Sequence, residues 1–205
     1  MNKIQQVYDI LFKEYGPQHW WPCSTKEKKF EMIIGAILTQ NTSWSNVAKA
    51  INNLKQADLI VPDKIIAVDI AKLKELIRPA GYYNQKAERL KIIARFFKKN
   101  KAITRESLLK VKGVGPETAD SILLYAYNQP YFVIDTYTKR IFTRLGISKT
   151  EDYDELQQMF QNNLKKDTKL FNEYHALIVN LGKNICRKKP LCNECPLSSI
   201  CKHNI

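Results

Sequence analysis

The stretch Val111-Lys112-Gly113-Val114-Gly115-Pro116-Glu117-Thr118-Ala119-Asp120 lies between two helical patterns. Leu108 to Val111 close a short helix before it. Ala119, Ile122, Leu123 and Ala126 space as the inner face of a second helix after it. Two glycines one residue apart let the backbone turn tightly and approach a ligand closely. Pro116 suits the first turn of the following helix. The backbone N–H groups at that helix start then face outward as an anion site. A helix, a Gly-Val-Gly hairpin and a second helix form a helix-hairpin-helix, which grips a phosphate without reading sequence. A bare Gly-x-Gly also serves many tight turns between helices, so the pattern alone leaves both readings open.

Outward from the hairpin, the periodicity is helical nearly everywhere. Ile4, Val7, Tyr8, Leu11 and Phe12 share one face of an N-terminal amphipathic helix. Ser24 and Glu27 have capping-box spacing ahead of Phe30, Ile33, Ile34, Ile37 and Leu38. Further faces are Val47-Ile51-Leu54, Ile70-Leu73-Ile77, Ala87-Leu90-Ala94-Phe97, Tyr153-Leu156-Phe160 and Leu177-Ile178-Leu181. The single β-branched run, Tyr131 to Thr136, cannot make a sheet alone and reads as an extended loop entering a helix at Thr136. The expected class is all-α, with about ten short helices.

The 205 residues are 44% apolar and 26% charged, a composition that supports a sizeable core and excludes a mostly disordered chain. Thirty-three Lys and Arg against 20 Asp and Glu give a net charge of +13. Such an excess points to a polyanionic partner, most often nucleic acid and less often an anionic membrane surface. The longest apolar run, Met32 to Leu38, is too short to span a bilayer, and the N-terminus lacks a signal-peptide core. No membrane association and a cytoplasmic, nucleoid-associated location are therefore expected. In a reducing compartment, clustered cysteines suggest a metal centre rather than disulfides.

Three further patterns carry chemistry. Asp135, in Val133-Ile134-Asp135-Thr136, follows an apolar run at a helix start. Alone it would be an N-cap. Paired with a phosphate-gripping hairpin, a carboxylate at the edge of an apolar pocket can stabilise an oxocarbenium ion or activate water for attack on a sugar carbon. Cys186, Cys192, Cys195 and Cys201 form a compact four-thiolate set that suits a [4Fe–4S] cluster or zinc. Arg187, Lys188 and Lys189, within that set, present a basic loop to a phosphate backbone. All three tryptophans fall in or near His19-Trp20-Trp21-Pro22 and at Trp44. They read either as buried core or as a stacking cage for a cationic purine such as 3-methyladenine.

Taken together these motifs resemble the endonuclease III superfamily of helix-hairpin-helix DNA glycosylases, over nearly the whole chain. The resemblance rests on Leu38–Thr42 (LTQNT), Gly81–Leu90 (GYYNQKAERL), Val111–Asp120, Val133–Arg140 (VIDTYTKR) and the C-terminal cysteines. It implies a six-helix barrel over 24–128 carrying the hairpin. The second helical domain would comprise 1–23 plus 129–205, with an iron-sulfur loop at 186–201. The implied partner is damaged double-stranded DNA, bound by a monomer that flips the damaged nucleotide out of the stack. Matching positions make Asp135 the catalytic residue. Gln40 would fill the gap left by the flipped base, and Tyr82 would wedge into the stack. Lys112, Gly113, Val114 and Gly115 would hold a backbone phosphate, with a monovalent cation bound at the hairpin.

Two departures refine the reading. Bifunctional members carry a lysine two residues after the second hairpin glycine, where it forms a Schiff base with the sugar. Here that position is Glu117, and a carboxylate cannot form an imine, so weak or absent AP lyase activity is expected. Trp20-Trp21-Pro22, Trp44, the Ala80–Ala87 segment and Glu117 resemble the 3-methyladenine glycosylase branch, which places Trp20, Trp21, Pro22, Trp44 and Glu117 in the base pocket. The first cysteine gap is five residues where the family has six, which keeps zinc in consideration beside [4Fe–4S]. The expected function is thus a monofunctional base-excision-repair glycosylase for alkylated purines. The alternatives are a bifunctional enzyme for oxidised pyrimidines and a noncatalytic DNA clamp.

Overall fold

The computed structural model describes residues 2–21, 23 and 26–203. Pro22 and Ser24, named above for the base pocket and a helix cap, lie outside them. Among the described residues the fold is all-α, without a strand. Eleven α-helices are joined by short turns: α1 Lys3–Tyr15, α2 Lys28–Leu38, α3 Trp44–Gln56, α4 Pro62–Ala67, α5 Ile70–Leu76, α6 Tyr83–Lys99, α7 Arg105–Leu109, α8 Pro116–Ser121, α9 Thr136–Arg144, α10 Tyr153–Asn163 and α11 Thr168–Asn184. Helix α8 continues directly as a π-helical turn over Ile122–Ala126. No helix among the described residues is long and apolar enough to cross a membrane.

Local chemistry sets many of these boundaries. The side chains of Asn2, Asp69, Asp135, Asp152 and Asp167 each accept from a backbone N–H in the first turn of the helix they precede. Thr104 and Ser107 form a reciprocal capping box on α7. Pro62 and Pro116 open α4 and α8, where their missing N–H costs nothing. Helix α2 starts later than the Ser24–Glu27 spacing suggests. Glu27 occupies the cap position itself and makes no side-chain capping bond.

The chain divides into two compact units, a central one of Trp21–Tyr127 and a terminal one of Met1–Trp20 with Asn128–Ile205. In the central unit α6 packs on α2, α4 and α5, and α2 packs on the π-turn. Its core is aliphatic: Ile33, Ile34, Ile37 and Leu38 of α2, Val47, Ile51 and Leu54 of α3, and Leu90 and Ile93 of α6 are all buried. The terminal unit packs α11 on α9 and α1. Its core is aromatic. Phe132 stacks on Phe160 with centroids 4.1 Å apart, and Phe171 and Tyr174 meet Phe132 edge-on. Such pairs contribute about 0.5–1.5 kcal/mol each beyond their buried area. The segment 131–135 has no regular secondary structure; it feeds Phe132 into this core and Asp135, itself extended, into the start of α9.

Candidate active site and nucleic-acid interface

In the central unit the hairpin is built by α7, residues 111–115 and α8. Arg105 grips the buried carboxylate of Asp120 with two bonds, Nε to Oδ1 at 2.8 Å and a terminal nitrogen to Oδ2 at 3.2 Å. That fork ties α7 to α8 with the geometry Arg is suited to. Val114 is buried and its N–H bonds the Val111 carbonyl at 3.0 Å, so the hairpin tip is anchored from inside. Lys112 and Gly115 are exposed. Gly113 has φ +85°, and a Cβ there would meet the Arg89 Nε at 2.6 Å. Both backbone conformation and the crossing arginine therefore require glycine.

Gln40, in the turn between α2 and α3, is tied to the hairpin. Its amide nitrogen donates to the Gly113 carbonyl at 2.9 Å and to Thr118 Oγ1 at 3.0 Å, and its oxygen accepts from Arg89. Tyr82, by contrast, is 65% exposed and sits in the left-handed region (φ 45°) at the cap position of α6. Glu117 is exposed in the first turn of α8.

The aromatic candidates separate. Trp21 meets Trp44 edge-on at 4.7 Å and lies tilted against Tyr125 at 5.1 Å. Tyr125 is buried on the π-turn, a geometry found frequently at functional sites. Sequence reading passed over it because its spacing is that of a core residue. The Trp21 ring fits only because residue 35 is glycine, where a Cβ would approach the ring to 2.5 Å. Trp20 is half-buried and belongs to the terminal unit.

In the terminal unit Asp135 caps α9 and is 9% exposed. Its Oδ1 accepts from the Thr138 N–H at 2.7 Å and the Thr138 hydroxyl at 2.8 Å. Its Oδ2 lies 3.5 Å from His175 Nε2 on α11. Burial is the largest single influence and pushes the carboxyl up. The hydrogen bond and charge of His175, with the two Thr138 donors, outweigh it and hold the group below the usual carboxylate range. Asp135 is thus a buried carboxylate kept ionised. His175 was not among the sequence candidates, since a lone histidine 40 residues away carries no local pattern.

All four cysteines near the C-terminus are reduced and line one small apolar-walled space with Arg144, Ile185, Pro190 and Leu191. Short 3-10 turns, Cys192–Glu194 and Ser198–Ile200, fold the loop back on itself. Burial first, and then the neighbouring Cys186, Cys201 and Cys192, push the Cys195 thiol up. Among the described residues no group of three or more His, Cys, Asp or Glu side chains is arranged to hold a metal ion. Two arginines of α9, also missed from sequence, anchor this loop. Arg140 donates to the carbonyls of Cys186 and Gly182, both at 2.8 Å. Arg144 donates to Cys186 Sγ at 3.3 Å and to the carbonyls of Arg187 and Lys188 at 2.7 and 3.1 Å.

A family model for the HhH-GPD superfamily of base-excision DNA repair proteins matches residues 34–166. The chain belongs to this superfamily. A Methanocaldococcus jannaschii protein, provisionally named a DNA repair glycosylase, is 51% identical over 97% of this chain and 95% of its own length. The structure of the H. pylori 3-methyladenine DNA glycosylase MagIII bound to 1,N6-ethenoadenine shares 34% identity, with a TM-score of 0.77 over 89% of this chain and 98% of that one. A non-covalent endonuclease III–DNA complex gives a TM-score of 0.86 at 25% identity, covering 98% and 95%. The superfamily member described here therefore has relatives in both the alkylpurine and the endonuclease III branches.

Proposed function

We propose that the protein is a monofunctional DNA glycosylase that removes alkylated purines such as 3-methyladenine and leaves an intact strand with an abasic site. The observation that carries this reading is Asp135, a buried carboxylate held ionised by His175 and Thr138. As the C–N glycosidic bond stretches, positive charge builds on the sugar, and a fixed carboxylate lowers the energy of that oxocarbenium ion. Water then adds to the sugar carbon and gives its proton to Asp135 or solvent. A cationic base leaves with the bonding electron pair and needs no general acid. Glu117, where a lyase would need an amine, supports hydrolysis over strand cleavage.

Other roles follow in the same reading. Lys112 to Gly115 would hold a phosphate, with a monovalent cation at the hairpin, and Tyr82 would enter the stack. Trp21 and Trp44, joined by Tyr125, offer electron-rich faces to a cationic purine. Cys186, Cys192, Cys195 and Cys201, which line one small space, would hold a [4Fe–4S] cluster, with zinc the alternative that a four-thiolate set also suits. Such a centre would neutralise the crowded thiolates and tie down the basic loop.

The test is incubation of the purified protein with methylated duplex DNA, with Asp135→Asn beside it. Free 3-methyladenine, breaks only after alkali, and loss of about 10²–10⁴ in rate with DNA binding retained in the variant are expected. The likeness to endonuclease III favours a second reading, a bifunctional enzyme for oxidised pyrimidines. Breaks without alkali would establish it. Binding without release of any base would leave a clamp.

A further inference from the structure

Lys86 of α6 is 1% exposed. Lysine is almost never buried so fully unless paired with a carboxylate, and here its partners are carbonyls. Nζ donates to the Leu38 carbonyl at 2.9 Å and the Ala80 carbonyl at 2.8 Å, and stands 5.9 Å from the centre of the Tyr82 ring. Leu38 is the last residue of α2 and Ala80 the last of the 3-10 turn Arg78–Ala80. The residues that follow each are the turn carrying Gln40 and the turn carrying Tyr82. Each turn has a non-glycine residue in the left-handed region, Asn41 at φ 54° and Tyr82 at φ 45°. One ammonium therefore ties the roots of both turns.

This arrangement costs free energy in three ways. Burial, with Arg89 close by, pulls the ammonium down to about 8. The charge lies near the N-terminal end of α6, against the helix dipole. The long side chain loses its rotamer freedom. A methionine would avoid these costs but would take the donor away from two buried helix-end carbonyls. What the ammonium gains in return is therefore the fixed placement of the end of α2 and the end of the 3-10 turn, from which the Gln40 and Tyr82 turns start. Arg89, one turn further along α6, joins Gln40 and Gly113 to the same helix.

We propose that Lys86 is a positioning residue for base eversion, its ammonium fixing the spacing at which the Gln40 turn and Tyr82 enter a duplex. The inference rests on the glycosylase reading above. It separates Lys86 from residues that touch DNA or the reacting sugar, and makes it act through the two turns.

The test uses the full-length protein and a duplex with 2-aminopurine opposite a tetrahydrofuran abasic analogue, beside single-turnover base release from methylated DNA. Lys86→Met is expected to lower the fluorescence rise and the release rate by roughly tenfold to a hundredfold. Affinity for undamaged duplex should stay within about twofold, since no phosphate contact is lost. Lys86→Arg, which keeps the charge and its donors, should recover most of the rate. Combined with Tyr82→Ala, the methionine variant should add little further loss, because both act through one wedge. Lys86→Gln, too short to span both carbonyls, takes its place if the methionine variant does not fold. Unchanged eversion, or losses that simply multiply with those of Tyr82→Ala, would overturn the proposal. If the wild type raises no fluorescence and releases no base, the glycosylase reading fails first and takes this inference with it.

Discussion

Asp135 and His175 show how one pair of side chains sets the charge state of a buried carboxyl. The carboxyl is depressed because His175 and the Thr138 donors outweigh burial. A group with a lowered folded pKa contributes stability above its unfolded value and loses it as pH falls through the folded one. Removing His175 leaves burial opposed by Thr138 alone, so the carboxyl should rise. For His175→Gln the acid limb of the rate–pH profile is therefore expected to move to higher pH, with turnover at neutral pH reduced. The rates of wild type and variant across the acid range check this, and a coincident limb would remove His175 from the site. Asp135 itself was legible from Val-Ile-Asp-Thr beside the hairpin motif. His175, Tyr125 and the arginines of α9 were not, because each reaches its partner from a distant helix and no spacing records that approach.

The hairpin is the element where conformation and binding meet. Gly113 needs a positive φ and leaves room for Arg89 to cross it. Gly113→Ala should destabilise the central unit by about 1–3 kcal/mol through backbone strain and the Arg89 clash. It should also weaken binding to undamaged and damaged duplex alike, since the hairpin is read as gripping phosphate rather than base. Thermal melts and duplex titrations at two salt concentrations test both effects; intact binding would mean the hairpin is only a turn. The other helices were legible, since apolar residues recur at 3.6-residue spacing, but the six-residue α4 is too short to show such a face and was not. Two further features were not. Helix α8 passes into a π-turn over Ile122–Ala126, and α2 begins past the expected capping box.

Across the whole molecule, charge and cysteines make separable predictions. With a net charge of +13, affinity for undamaged duplex should fall steeply with salt, log K against log salt having a slope of about −0.9 per phosphate neutralised. Cys195→Ser should lose bound iron and the yellow-brown colour of the purified protein, and lower the melting temperature. Iron content measured beside the melt decides between a cluster and four uncommitted thiols. By itself the sequence determined the all-α class, the hairpin, the candidate carboxylate and the cysteine set, because periodicity, glycine spacing and residue chemistry are written locally. Only the tertiary structure decided that Gln40 is tied to the hairpin and Trp21 is caged by Trp44 and Tyr125. It likewise placed His175 on Asp135 and Lys86 under two turns. Those contacts join residues far apart in the chain, and packing each unit's own core is what brings them within reach.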